Sequence, residues 1–175
     1  MSFDGGAQRG ALEPAGALWT ASPLRAAKRV YLAPGQLFAS SEAVQATTIL
    51  GSCVSVCLWD LEAGVGGLNH FLLADGAPPS PRFASHAVPL LVSQVLELGA
   101  SRERLRAKLF GGACVLEAFR ASQALGARNV EAARQLLAAQ QIRVVAEDVG
   151  GDLGRKLVFE VQTGSAWIRA IGTNG

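Results

Sequence analysis

Several things are scarce in this chain, and each scarcity removes a class of protein. No stretch approaches the roughly 18 uninterrupted apolar residues of a membrane-spanning helix, because Gly, Pro or a polar residue interrupts every apolar run. Membrane insertion is therefore not expected. Positive charge is also in short supply: 16 Lys and Arg against 14 Asp and Glu leave a formal net charge of +2. That is far from the field that holds a phosphate backbone by counterion release, so nucleic acid is not expected as a partner. Cysteine occurs only three times, an odd set, and the opening MSFDGGAQRGALEP lacks the basic start and apolar run of a secretory signal. Reduced thiols and a cytoplasmic location are the expectation.

What is present fits a folded protein, since 50% of the residues are hydrophobic and 17% are charged. At 175 residues one domain can bury a sufficient core without disulfide or metal staples. Residues 1–28 are rich in Gly, Ala, Ser and Pro without a clear period and read as a flexible extension, which leaves 29–175 as a single domain.

Short β-type runs follow around Val30–Leu32 and at Leu37 and Phe38. Two longer ones, Cys53 to Trp59 and Val65 to Leu73, flank Asp60-Leu-Glu-Ala-Gly64 and predict a hairpin. With the loop centre near Leu61 or Glu62, Cys53 comes opposite His70 or Phe71, where paired Cβ atoms lie about 5 Å apart. Val88, Leu91, Val92, Val95 and Leu96 recur at helical spacing, with Ser85 as a possible N-cap and Gly99 as the stop. A strand is expected at Leu105 to Phe110, a second helix from an Asn129 cap to about Gln140, and further strands at Ile142 to Val149, Leu157 to Val161 and Ala166 to Ala170. This is an α+β pattern with more strands than helices.

Only two histidines accompany the three cysteines, so few Cys-His pairs can form. Cys53 follows Gly51 and Ser52 at the mouth of a predicted strand, where small residues leave room for a carbonyl to approach the sulfur. Backbone amides around Ser52, with Gly51 allowing the approach, could support an oxyanion. His70 is the base that the hairpin supplies, and the hydroxyl of Thr47 could fix its ring. Spacing alone nevertheless favours packing over nucleophilicity for Cys53, because free thiols are among the most buried side chains. Cys57 and Cys114 read as packing residues, and His86 as structural or solvated. A zinc site from Cys53, Cys57, His70 and His86 has the right ligand types but poor spacing.

The runs Thr47-Thr-Ile-Leu-Gly-Ser-Cys53-Val-Ser-Val-Cys-Leu-Trp-Asp60 and Gly66-Gly-Leu-Asn-His70-Phe-Leu-Leu73 resemble the chemoreceptor glutamine deamidase family, CheD. The likeness continues through Lys108-Leu-Phe-Gly-Gly112, Gly126-Ala-Arg-Asn129, Ala146-Glu-Asp-Val-Gly-Gly151, Gly154-Arg-Lys156 and Thr163-Gly164, so it covers about residues 29 to 171. It implies a mixed β-sandwich flanked by helices, similar to cysteine-dependent glutamine-deamidating toxin domains. It also implies hydrolysis of glutamine side chains on methyl-accepting chemotaxis receptors to glutamate, with nucleophile Cys53, histidine Cys53's partner His70, and threonine Thr47. No cofactor or metal is implied. Some relatives bind the phosphatase CheC and some are reported to hydrolyse receptor methyl esters, so both possibilities extend to this chain, as does a non-enzymatic adaptor that binds a CheC-type phosphatase. In Arg82-Phe-Ala-Ser-His86 the family more often carries an acid where Ser85 stands. Arg82, Arg128, Arg155 and Glu147 are polar candidates for a rim around the site, with surface charge or loop anchoring as the plainer alternative.

Overall fold

The structure, a computed structural model, describes residues 28–114 and 120–172. The extension expected over residues 1–28 lies outside the described residues except for Lys28, which already belongs to the first strand. In chain order the elements are β1 (Lys28–Tyr31), β2 (Leu37–Ser40), β3 (Val44–Leu50), β4 (Val54–Asp60), β5 (Val65–Asn69), α1 (Ala84–Glu97), β6 (Arg106–Gly111), α2 (Arg120–Ala139), β7 (Arg143–Val149), β8 (Gly154–Glu160) and β9 (Ala166–Ile171).

The strands form two mixed sheets, which with the two helices make an α+β fold. One sheet has the order β1-β3-β8-β9 and the other β2-β5-β4-β6-β7, with β1-β3 and β6-β7 parallel and the remaining pairs antiparallel. Alternation along β3 turns Ala46, Thr48 and Leu50 inward while Gln45, Thr47 and Ile49 face out. The inward set joins Leu32, Val44, Cys57, Leu68, Phe110, Leu157, Phe159 and Val161 in a core between the sheets. The opposite face of the five-stranded sheet presents Val54, Val56, Leu58, Val65 and Leu109, and both helices cover it with Val88, Leu91, Val92, Val95, Val130, Ala133 and Leu137. The inner strands β4 and β5 are therefore buried on both faces, which is why β4 is apolar almost throughout and not alternating.

Two helix boundaries differ from the expectation. α1 begins at Ala84 after Phe83, whose side chain makes no capping bond, and Ser85 instead donates to Asp75 Oδ1 at 2.7 Å. α2 begins at Arg120, so Asn129 is no cap but lies near the middle of a 20-residue helix. The β4–β5 hairpin forms as expected, and Asp60 builds its turn by accepting from the Glu62 and Ala63 amides at 3.1 Å each.

Candidate active site

Register decides what can meet Cys53. Val54 and Phe71 exchange both backbone hydrogen bonds at 3.1 Å, and Cys57 stands opposite Leu68. Carried along the ladder, this puts Ser55 opposite His70 and Cys53 opposite Leu72. The expected pairing of Cys53 with His70 or Phe71 is thus shifted, because Asp60 pairs with Val65 and centres the loop between Glu62 and Ala63. Cys53 and His70 still share a face as diagonal neighbours, at a typical Cα spacing of about 7–8 Å. That face is the one turned toward the four-stranded sheet, where Cys53 packs at the edge of the inter-sheet core.

His70 is 1% exposed, and its backbone is pinned on both sides, its amide donating to Gln36 O at 2.9 Å and its carbonyl accepting from Gly35 at 2.7 Å. Its ring Nδ1 lies 2.8 Å from Thr48 Oγ1, which also lies 2.8 Å from Leu32 O. A hydroxyl has one hydrogen, and a carbonyl can only accept. Thr48 therefore donates to Leu32 O and accepts from His70, so Nδ1 carries the ring proton and Nε2 carries a lone pair. Nε2 is buried with no hydrogen-bond partner among the described residues. Burial lowers the imidazole to about 4 from an ordinary 6.5, so the ring is neutral near pH 7.

The threonine against the ring is Thr48 and not Thr47. Adjacent strand residues point to opposite faces, and Thr47 sits on the outer face of its sheet in a row with Tyr31, Val158 and Trp167. Cys53 is only partly buried, and burial raises its thiol, an effect its own backbone N–H partly offsets. Its sulfur makes no hydrogen bond to the ring among the described residues. Burial thus disfavours the charged form of each group, the thiolate of Cys53 and the imidazolium of His70.

Around Cys53 the backbone is fastened on several sides. Gly112 donates to Cys53 O and Ala113 to Gly51 O, both at 2.8 Å, while the Ser52 and Cys53 amides donate to no carbonyl among the described residues. Gly111 turns here with φ 110°, and a Cβ on it would stand 2.1 Å from Cys53 O. Only glycine fits that approach. Arg155, expected as a rim residue, is instead 6% exposed and holds the loop after β7, donating to Asp148 Oδ1 at 2.8 Å and also to the Asp148 and Gly150 carbonyls. Glu147 pairs with Arg134 at 2.6 Å, whereas Arg82 and Arg128 are exposed. An open groove of about 820 Å³ adjoins this corner, lined by Gly112, Cys114, Val130, Gly150 and Gly151.

Cys57 is sealed in the inter-sheet core, where burial pushes its thiol up to about 12. Ser85 lies near His86 Nδ1 at 3.1 Å, away from Cys53. No three His, Cys, Asp or Glu side chains among the described residues are grouped to hold a metal ion. Sequence reasoning missed Thr48 and gave Asn129 the wrong role; the doubled threonine at 47 and 48 was the only available signal for the first.

A half-buried thiol that shares a sheet face with an imidazole of defined tautomer, in a two-sheet α+β scaffold, has the group types that cysteine-dependent acyl transfer uses. The family model described as CheD chemotactic sensory transduction matches residues 74–170. The chain is 49% identical over 145 residues to the "Probable chemoreceptor glutamine deamidase CheD 1" of Anaeromyxobacter dehalogenans, covering 82% of this chain and 85% of the relative. It is 44% identical to the CheD protein of Trichlorobacter lovleyi, covering 82% and 89%, and 40% identical to that of Vibrio cholerae, covering 82% and 66%. The chain belongs to the CheD family. No helix among the described residues is long and apolar enough to cross a membrane.

Proposed function

We propose that this chain is an enzyme that hydrolyses the side-chain amide of particular glutamines on chemotaxis receptors, giving glutamate and ammonia. The relatives' names supply the substrate class. The observation that carries the chemistry is the unpartnered Nε2 of His70 on the same sheet face as an accessible Cys53.

In the proposed reaction Cys53 Sγ attacks the carboxamide carbon as its proton passes to His70 Nε2. The carbonyl electrons move onto oxygen, and the Cys53 amide, with that of Ser52, stabilises the charge. The C–N bond then breaks, His70 returns the proton to nitrogen, and ammonia leaves a thioester on Cys53. Water adds to that thioester with His70 again taking a proton, glutamate departs, and the thiol is restored. Thr48 keeps Nδ1 protonated throughout, so the proton-accepting nitrogen is always Nε2. Since His70 is a weak base at rest, its protonated form is a strong acid, which suits delivery of a proton to the leaving amine.

Receptor glutamines on a long helix need an open approach, and Cys53 is only partly buried. A methyl ester could enter the same cycle with methanol in place of ammonia. The setting is the cytoplasm, where the thiol stays reduced.

Incubating the chain with receptor peptides should raise the mass of specific glutamines by about one unit as amide becomes acid, with matching ammonia release. Cys53→Ala should abolish both. Receptor binding with no conversion would favour instead an adaptor, whose partner could be a CheC-type phosphatase.

A further inference from the structure

Asn129 occupies a position where its residue type is out of place. It is fully buried in mid-helix, although asparagine is a poor helix former. Its Nδ2 reaches across to two carbonyls of the sheet, Ser52 O at 3.0 Å and Leu72 O at 2.8 Å. Both are acceptors, so the amide nitrogen must face them, and both of its hydrogens are used. Oδ1 is left buried without a partner among the described residues. A side chain kept for stability would not leave such an acceptor unmet, since that costs free energy.

The two carbonyls bracket the nucleophile. Ser52 precedes Cys53, and Leu72 is the residue the register places opposite it. The Ser52 carbonyl and the Cys53 N–H belong to one planar trans peptide and point in opposite directions. Fixing the carbonyl on Asn129 therefore fixes the direction of the Cys53 amide. The helix is close enough to do this because Gly126, one turn earlier on the same face, lies against Gly112: a Cβ there would meet Gly112 O at 2.3 Å.

We infer that Asn129 is a positioning residue that aims the Cys53 backbone amide at the oxygen on which negative charge develops. The inference rests on the reading of Cys53 as the acyl acceptor. Its consequence is selective: losing Asn129 should impair reactions that pass through an oxyanion and spare those that do not.

The two can be separated on the same sulfur. Acylation by p-nitrophenyl acetate forms a tetrahedral oxyanion, whereas alkylation by iodoacetamide does not, and peptide mass spectrometry assigns either to Cys53. Asn129→Ala, and Asn129→Ser as a milder variant with one donor, would be compared with the wild-type chain once thermal melts show them folded. Acylation of Cys53 should fall about 100-fold. Alkylation should hold within about threefold with an unchanged pH profile, since it follows thiolate supply. On receptor peptides the loss should fall on kcat and not on KM. Unchanged acylation in both variants would overturn the inference alone, and so would equal losses of acylation and alkylation, which would make Asn129 mere structural support. If wild-type Cys53 is not acylated, or Cys53→Ala releases p-nitrophenolate equally fast, the reading of Cys53 itself fails and takes the inference with it.

Discussion

At the scale of single residues, two adjacent threonines carry opposite consequences. Thr48 Oγ1 links His70 Nδ1 to Leu32 O, while Thr47 faces outward. Thr48→Val keeps the side-chain volume but removes the hydroxyl, freeing the ring to change tautomer. The expected result in a glutamine deamidation assay is a drop in kcat of roughly 10- to 100-fold, with Thr47→Val close to wild type. The reverse order of effects would restore the threonine assignment that the family resemblance implies. The state of Cys53 is testable in the same way. Burial raises its thiol and no cation among the described residues lowers it, so its alkylation by iodoacetamide should be slow at pH 7 and climb with pH instead of reaching a plateau in acid. A plateau below pH 7 would reveal a preformed thiolate–imidazolium pair.

Among the elements, the hairpin that carries Cys53 and His70 was legible because its strands are apolar and Asp60-Leu-Glu-Ala-Gly64 supplies turn residues. The loop centre was not, and a shift of one position moved Cys53 from facing His70 to standing diagonal to it. Nor could local pattern tell which threonine turns inward, since that depends on a second sheet contributed by β1, β8 and β9. Asn129 read as a helix start because asparagine caps helices more often than it is buried inside them; what overrides that preference is a tertiary contact with carbonyls 77 and 57 residues away in sequence. Gly126 gives this element-level packing a test with an informative sign. On helix propensity alone Gly126→Ala should stabilise by about 1 kcal/mol. Because the new Cβ would meet backbone Gly112 O at 2.3 Å, urea denaturation should instead show a net loss of about 1–3 kcal/mol. A stabilised variant would mean that α2 does not press on the Cys53 corner as described.

For the whole molecule, the buried ionisable groups set how the fold responds to acid. The His70 imidazole is lowered by burial to about 4 from 6.5, so the fold holds it neutral in a range where the unfolded chain takes up a proton. Unfolding therefore gains a proton between pH 6.5 and 4, and stability falls across that window as pH drops, by about 1.4 kcal/mol per pH unit at most. Asp60 acts lower down. Burial alone would raise it, but hydrogen bonds from Arg104 and from the Ser101 and Ala63 amides outweigh that and hold it at about 2 against an ordinary 3.8. Its contribution is present above pH 3.8 and is lost as pH falls toward 2. Two stages of acid destabilisation should result, and they can be told apart by substitution. His70→Gln should flatten the fall in melting temperature between pH 6.5 and 4 while leaving the lower stage intact. Asp60→Asn should do the opposite, and should also weaken the fold at pH 7, because it removes the carboxylate that joins the β4–β5 turn to Ser101 and Arg104. Melting curves recorded from pH 7.5 to 3 for the three proteins would decide it. A wild-type profile that is flat down to pH 4 would mean that His70 is not held neutral in the interior, and a proton-accepting Nε2 buried on the inter-sheet face would lose its physical basis.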